Sequence, residues 1–175
     1  TVGASENNRN KKCKSDGSCS DIGTWSEFGY GNSPLNNDPT GGNIEGMAAF
    51  SSRGPTSDAR LKPDISAPGT WILSTKSRNT TDIGWGEYNS SYTYMGGTSM
   101  ATPLTAGAAA LVLQHLIEHR NVSSPSSALV KAILTSLATD MQGQYPSGNG
   151  ASETAPNQHE GWGRLNLTGL TNNSI

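Results

Sequence analysis

Charge is scarce in this 175-residue chain: Asp, Glu, Lys and Arg make up 15%, and 12 basic residues nearly cancel 14 acidic ones. That balance excludes the basic face of a nucleic-acid reader and the charge density of a disordered tail. Long apolar runs are also missing. The longest, Leu104 to Ile117, is diluted by Gly107 and alanines and falls short of the ~20 residues needed to cross a bilayer. Neither nucleic acid nor membrane is therefore an expected partner, and no basic segment followed by an apolar one suggests a signal peptide or anchor. Histidine occurs only at His115, His119 and His159. The two cysteines, Cys13 and Cys19, enclose a short stretch containing Gly17, with no neighbouring Cys or His to complete a zinc site. A disulfide and two free thiols both stay open. The length suits one domain, or part of one.

Glycine is abundant, with 21 residues, and punctuates the chain. After the apolar opening Thr1-Val2-Gly3-Ala4, residues 7–46 are dominated by Asn, Ser, Gly, Asp and Lys and read as a surface insertion. Its Arg9, Lys11, Lys12 and Lys14 read as a solvated face. Met47 to Phe50, Trp71 to Leu73 and Tyr92 to Met95 are short apolar runs between Gly and Pro turns, the pattern of strands. From Thr98 the pattern is helical: Pro103 falls in the first turn, and the apolar stretch that follows suits a helix inside a protein. Ser124 as N-cap and Pro125 at the first helical position predict a second helix, burying Leu129, Ala132, Ile133 and Leu137. Strands followed by helices predict an α/β fold. Beyond Asp140 the chain turns polar and Gly-rich, and its last residues are expected to fray. Asn-x-Ser/Thr triplets begin at Asn79, Asn89, Asn121, Asn166 and Asn172; in a chain rich in these residues they argue only weakly for secretion.

The informative segment is Gly96-Gly97-Thr98-Ser99-Met100-Ala101-Thr102-Pro103, a glycine turn delivering a serine to the start of a helix. Unpaired N–H groups and the positive end of the helix dipole meet at that terminus, so negative charge developing beside Ser99 would be stabilised by groups already in place. The glycines leave the hydroxyl open to approach. A Gly-x-Ser alone reads more simply as a helix N-cap.

The whole string resembles the nucleophile motif of the subtilisin-like serine proteases, Gly-Thr-Ser-Met-Ala-(Ser/Thr)-Pro, most of all in bacterial alkaline subtilases with a Met-Gly-Gly-Thr-Ser-Met-Ala-Thr-Pro string. Thr1-Val2-Gly3-Ala4, Phe50-Ser51-Ser52-Arg53-Gly54-Pro55, Lys62-Pro63-Asp64-Ile65-Ser66-Ala67-Pro68-Gly69 and Gly161-Trp162-Gly163-Arg164-Leu165 look like further landmarks, in family order. The resemblance implies residues 1–175 to be the C-terminal portion of a peptidase catalytic domain, a three-layer α/β fold with a parallel sheet flanked by helices. It implies a secreted endopeptidase acting on proteins or peptides. Ser99 would be the nucleophile, with Thr98 and the Ser99 N–H at the oxyanion, Gly97 in the substrate approach, Met100 lining the site and Met95 on the leaving-group side. Oxidation of Met100 would then inactivate. The chemistry needs no cofactor. A structural calcium is possible by resemblance, and Asp64 matches a position beside a weak calcium site in some relatives, but capping of the core edge is its expected role and no metal residue is assigned.

A serine hydroxyl needs a base, and in this family an Asp and a His N-terminal to the serine provide it. No histidine precedes Ser99 here. His115 lies about 24 Å down the helix at ~1.5 Å per residue. The order Ser99, Asp140, His159 mimics that of α/β-hydrolases, but Ala101 replaces the last glycine of their Gly-x-Ser-x-Gly elbow. The expectation is therefore activity only alongside an N-terminal portion supplying Asp, His and an oxyanion Asn; the rival is a non-catalytic binding or assembly module of the same fold.

Overall fold

The computed structural model describes residues 1–142 and 154–171. The Gly-rich stretch expected after Asp140 lies largely outside the described residues, as do the last residues and the Asn172 triplet.

Two short strands, β1 (Val2–Ser5) and β4 (Ile65–Pro68), pair in parallel with Val2 opposite Ile65 and Ala4 opposite Ala67. Both are almost wholly buried, as expected of parallel strands covered on their faces. Between them, β2 (Lys11–Cys13) and β3 (Cys19–Asp21) form a hairpin closed by a Cys13–Cys19 disulfide. Downstream, β5 (Ile72–Thr75), β6 (Gly86–Asn89) and β7 (Tyr92–Met95) form an antiparallel sheet in the order β5-β7-β6.

The helix α1 (Thr98–His119) packs on β1, β4 and α2 (Ser127–Ser136). Its Ala108, Val112 and Leu116 join Ile65, Val130, Ile133, Leu134 and Leu170 in the main core; Leu170 belongs to the short α3 (Thr168–Thr171). A parallel pair with helices against it makes the architecture α/β.

Several sequence expectations need correction. Met47 to Phe50 is not a strand: the Ala48 N–H donates to Ala4 O at 2.9 Å and its carbonyl accepts from Ser51, turning the chain. The N-cap of α2 is Ser126, not Ser124, because the Ser126 hydroxyl accepts the Leu129 N–H at 3.1 Å. This start sets a buried face of Val130, Ile133 and Leu134, leaving Leu129 and Ala132 exposed.

The expectation of an interior α1 holds on one stripe only. Leu104, Leu111 and Ile117 are 41%, 54% and 49% exposed. At 22 residues the helix exceeds the apolar run read in the sequence, and its length and composition would suffice to cross a bilayer; its buried stripe nevertheless packs into the core above.

Residues 7–46 do more than skirt the surface. Trp25 is fully buried against Ala4, Ala48, Ala67 and Ala101. Arg9 lies over the Tyr94 ring at 5.2 Å and Lys12 over Trp71 at 5.5 Å, so these two cations cover aromatic faces rather than simply facing solvent.

Candidate active site

The strand β7 ends at Met95 and the helix begins at Thr98, so Gly96 and Gly97 alone turn the chain between them. Gly97 sits at φ 149°, ψ 162°, in the region favouring glycine, and no side chain caps the helix. Its carbonyl accepts from Met100 at 3.0 Å, and its N–H donates to Gly69 O at 2.7 Å. The turn is thereby tied to the end of β4.

Ser99 is exposed in the first turn of α1. Among the described residues no acceptor takes the N–H of Thr98 or Ser99, and the first turn carries no acidic side chain to offset the dipole. Two free donors and an uncompensated positive helix end thus lie beside an accessible hydroxyl. Thr98 contributes its carbonyl to the Thr102 hydroxyl at 2.8 Å.

An open cavity of about 540 Å³ adjoins Ser99, lined by Met95, Met100, Ile72, Pro103 and Leu104, with Lys76, Thr80 and Asp82 among its polar residues. Ser99, Met100 and Met95 therefore share one concavity, whereas Gly97 and Thr98 stand in the adjoining turn. Lys76 is paired with Glu87 at 3.0 Å.

No histidine lines this cavity. His115 accepts from Arg120 at 3.3 Å far along α1, with His119 beside it. His159 contacts Arg53 through Nδ1 at 3.0 Å, and Asp140 accepts the N–H of Ala155 at 2.9 Å. Neither Asp140 nor His159 reaches the cavity, so the hydrolase-like order assembles no triad with Ser99.

Asp64 is held by Lys62 at 2.6 Å and by Lys131. Burial alone would raise its pKa, but hydrogen bonds from Lys131 and Lys62 outweigh it and hold the carboxyl below its ordinary range. The Lys62 and Lys131 ammonium groups lie one against each carboxylate oxygen; among the described residues no group of three His, Cys, Asp or Glu gathers. Buried Glu160 is raised by burial, partly offset by hydrogen bonds from Asn157 and the Met141 N–H.

The sequence did not point to the aromatic group behind the turn. Trp85 packs against Gly96, with Phe28, Phe50 and Trp71 around it. Gly96 was the available signal, since a glycine without positive φ marks close approach by a neighbour.

The sequence profile described as "Subtilase family" matches residues 1–163. The chain belongs to the subtilase family. The Dictyostelium discoideum "Serine protease/ABC transporter B family protein tagD" is 35% identical over 72% of this chain, which spans 8% of that protein. "Serine protease AprX" of Bacillus subtilis is 49% identical over 39% of the chain, corresponding to 16% of the protease. Among solved structures, that of the Clostridium perfringens CspB protease superposes with a TM-score of 0.53 at 28% identity, covering 79% of this chain and 24% of that one. The chain thus spans under a quarter of each of these relatives. A subtilase of the serine protease type is what the relatives and the fold together establish.

Proposed function

We propose that this chain carries the nucleophile of a subtilisin-like endopeptidase, with Ser99 acylated by the substrate carbonyl and the acyl-enzyme hydrolysed by water. The observation that carries the reading is Ser99 exposed at an uncapped helix start, with free N–H donors and a cavity beside it. The Ser99 N–H and the Thr98 hydroxyl serve the oxyanion, Gly97 keeps the approach open, and Met100 and Met95 flank the substrate.

The base comes from outside these 175 residues. An imidazole oriented by a carboxylate takes the Ser99 proton and returns it to the leaving amine, and an Asn adds a second oxyanion donor. A portion of the catalytic domain bearing these groups is the partner; the exposed Leu104, Leu111 and Ile117 support a covering segment on α1. Residues 1–175 are then the C-terminal portion of that domain. Protein or peptide chains are the substrate, and the Cys13–Cys19 bridge supports an extracellular location.

A fluorophosphonate probe on the assembled protein tests this. The expected adduct sits on Ser99 and does not form in protein heat-denatured before the probe is added or in Ser99→Ala. A folded, assembled protein that resists the probe would instead identify a non-catalytic binding or assembly module.

A further inference from the structure

The turn before Ser99 makes a second contact besides its hydrogen bond to Gly69. A Cβ added to Gly96 would lie 2.0 Å from Cζ2 and 2.1 Å from Cη2 of Trp85, so the six-membered ring of that indole rests directly on the Gly96 backbone. The Trp85 N–H also donates to Tyr94 O at 2.8 Å, two residues before Gly96. One residue therefore holds the incoming strand by its backbone and the turn by its ring.

The ring is itself braced. Phe28, from the 7–46 insertion, meets Trp85 at a centroid distance of 4.7 Å, and Trp71 meets it edge-on at 5.2 Å. Trp71 has φ +50°, a costly conformation for a bulky residue, and its buried Nε1–H donates to Thr40 Oγ1 at 2.8 Å. Thr40 also belongs to the insertion. Two insertion residues thus fix two tryptophans, one on Gly96 and one just beyond the Gly69 that accepts from Gly97.

We propose that Trp85 is a positioning residue for Ser99, clamping Gly96 under the brace of Phe28 so that the Gly97–Ser99 backbone keeps a single orientation. The consequence for reaction rests on Ser99 being the nucleophile; the clamp itself does not. Catalytic geometry is sensitive at this scale, since a displacement of ~1 Å can cost about a hundredfold in rate. The 7–46 insertion thereby acts as the outer buttress of the reactive turn.

The test uses the assembled protein and two readouts. In Trp85→Ala, amide hydrogen exchange at Gly97 is expected to rise about tenfold, with α1 beyond Thr105 unchanged. The maximal rate of fluorophosphonate labelling is expected to fall about tenfold at unchanged half-saturating probe concentration. Trp85→Phe, which keeps a ring on Gly96, should recover most of both. A folded Trp85→Ala with wild-type exchange and labelling would overturn the clamp. Should that variant not fold, Phe28→Ala is expected to shift exchange in the same direction, about threefold; no shift would overturn it equally. Absence of labelling in the wild type would refute the nucleophile reading alone, and exchange at Gly97 would still decide for or against Trp85.

Discussion

The Gly97 N–H donates to the carbonyl of Gly69 at 2.7 Å, joining the turn before Ser99 to the buried end of β4. Gly69 can accept this bond only because it is small. A Cβ there would meet Ala4 Cβ at 2.5 Å and Gly97 O at 2.9 Å.

Gly69→Ala is accordingly expected to force β1 and the turn before Ser99 apart. Overpacking of this kind costs about 1–3 kcal/mol. Thermal unfolding should show the loss, and exchange at Gly97 should rise because its acceptor is displaced. Wild-type stability with unchanged exchange at Gly97 would show that the contact yields without strain.

Asp64 gives a prediction with a defined sign. Its folded-state pKa lies below the ordinary value of 3.8, so its ion pairs stabilise the fold fully above that value. As pH falls below about 3.8, the unfolded chain takes up a proton that the folded one refuses, and the contribution declines through the folded pKa. Asp64→Asn should lose about 1 kcal/mol at pH 7, modest because Lys131 is largely exposed. Urea titrations should show the gap between wild type and variant narrowing as pH is lowered from 4. A gap independent of pH would mean that shape, not charge, explains the loss.

The Cys13–Cys19 bridge closes a short hairpin whose Cys13 carbonyl accepts from the buried Tyr94 hydroxyl at 2.9 Å. A loop this short is worth about 2 kcal/mol in chain entropy. Reduction, or paired substitution of both cysteines by Ser, should therefore speed trypsin cleavage at Lys11, Lys12 and Lys14 while α1 stays resistant. Equal cleavage with and without the bridge would show that Tyr94 and the cation contacts suffice to hold the hairpin.

Local features were legible where one segment settles its own structure. Tyr92 to Met95 forms the strand its short apolar run suggested, and Gly96-Gly97 followed by Thr98 marks where α1 starts. Features decided by distant partners were not. The strand Ile65–Pro68 is short and bounded by prolines, and only its parallel pairing with Val2–Ser5 makes it a strand. The cap of α2 moved because Ser123, Ser124, Ser126 and Ser127 compete and only Ser126 presents its hydroxyl to Leu129. At the site, the string Gly96–Pro103 drew attention to Ser99. Trp85 on Gly96 and Thr40 on Trp71 depend on contacts that no spacing in the sequence encodes.

The central claim is that an imidazole from beyond these residues activates Ser99, and the pH dependence of fluorophosphonate labelling in the assembled protein tests it most directly. The labelling rate should rise with pH through one ionisation near the ordinary imidazole value of about 6.5, and vanish in Ser99→Ala. A rate that is flat across that range, or an adduct that persists in Ser99→Ala, would contradict it.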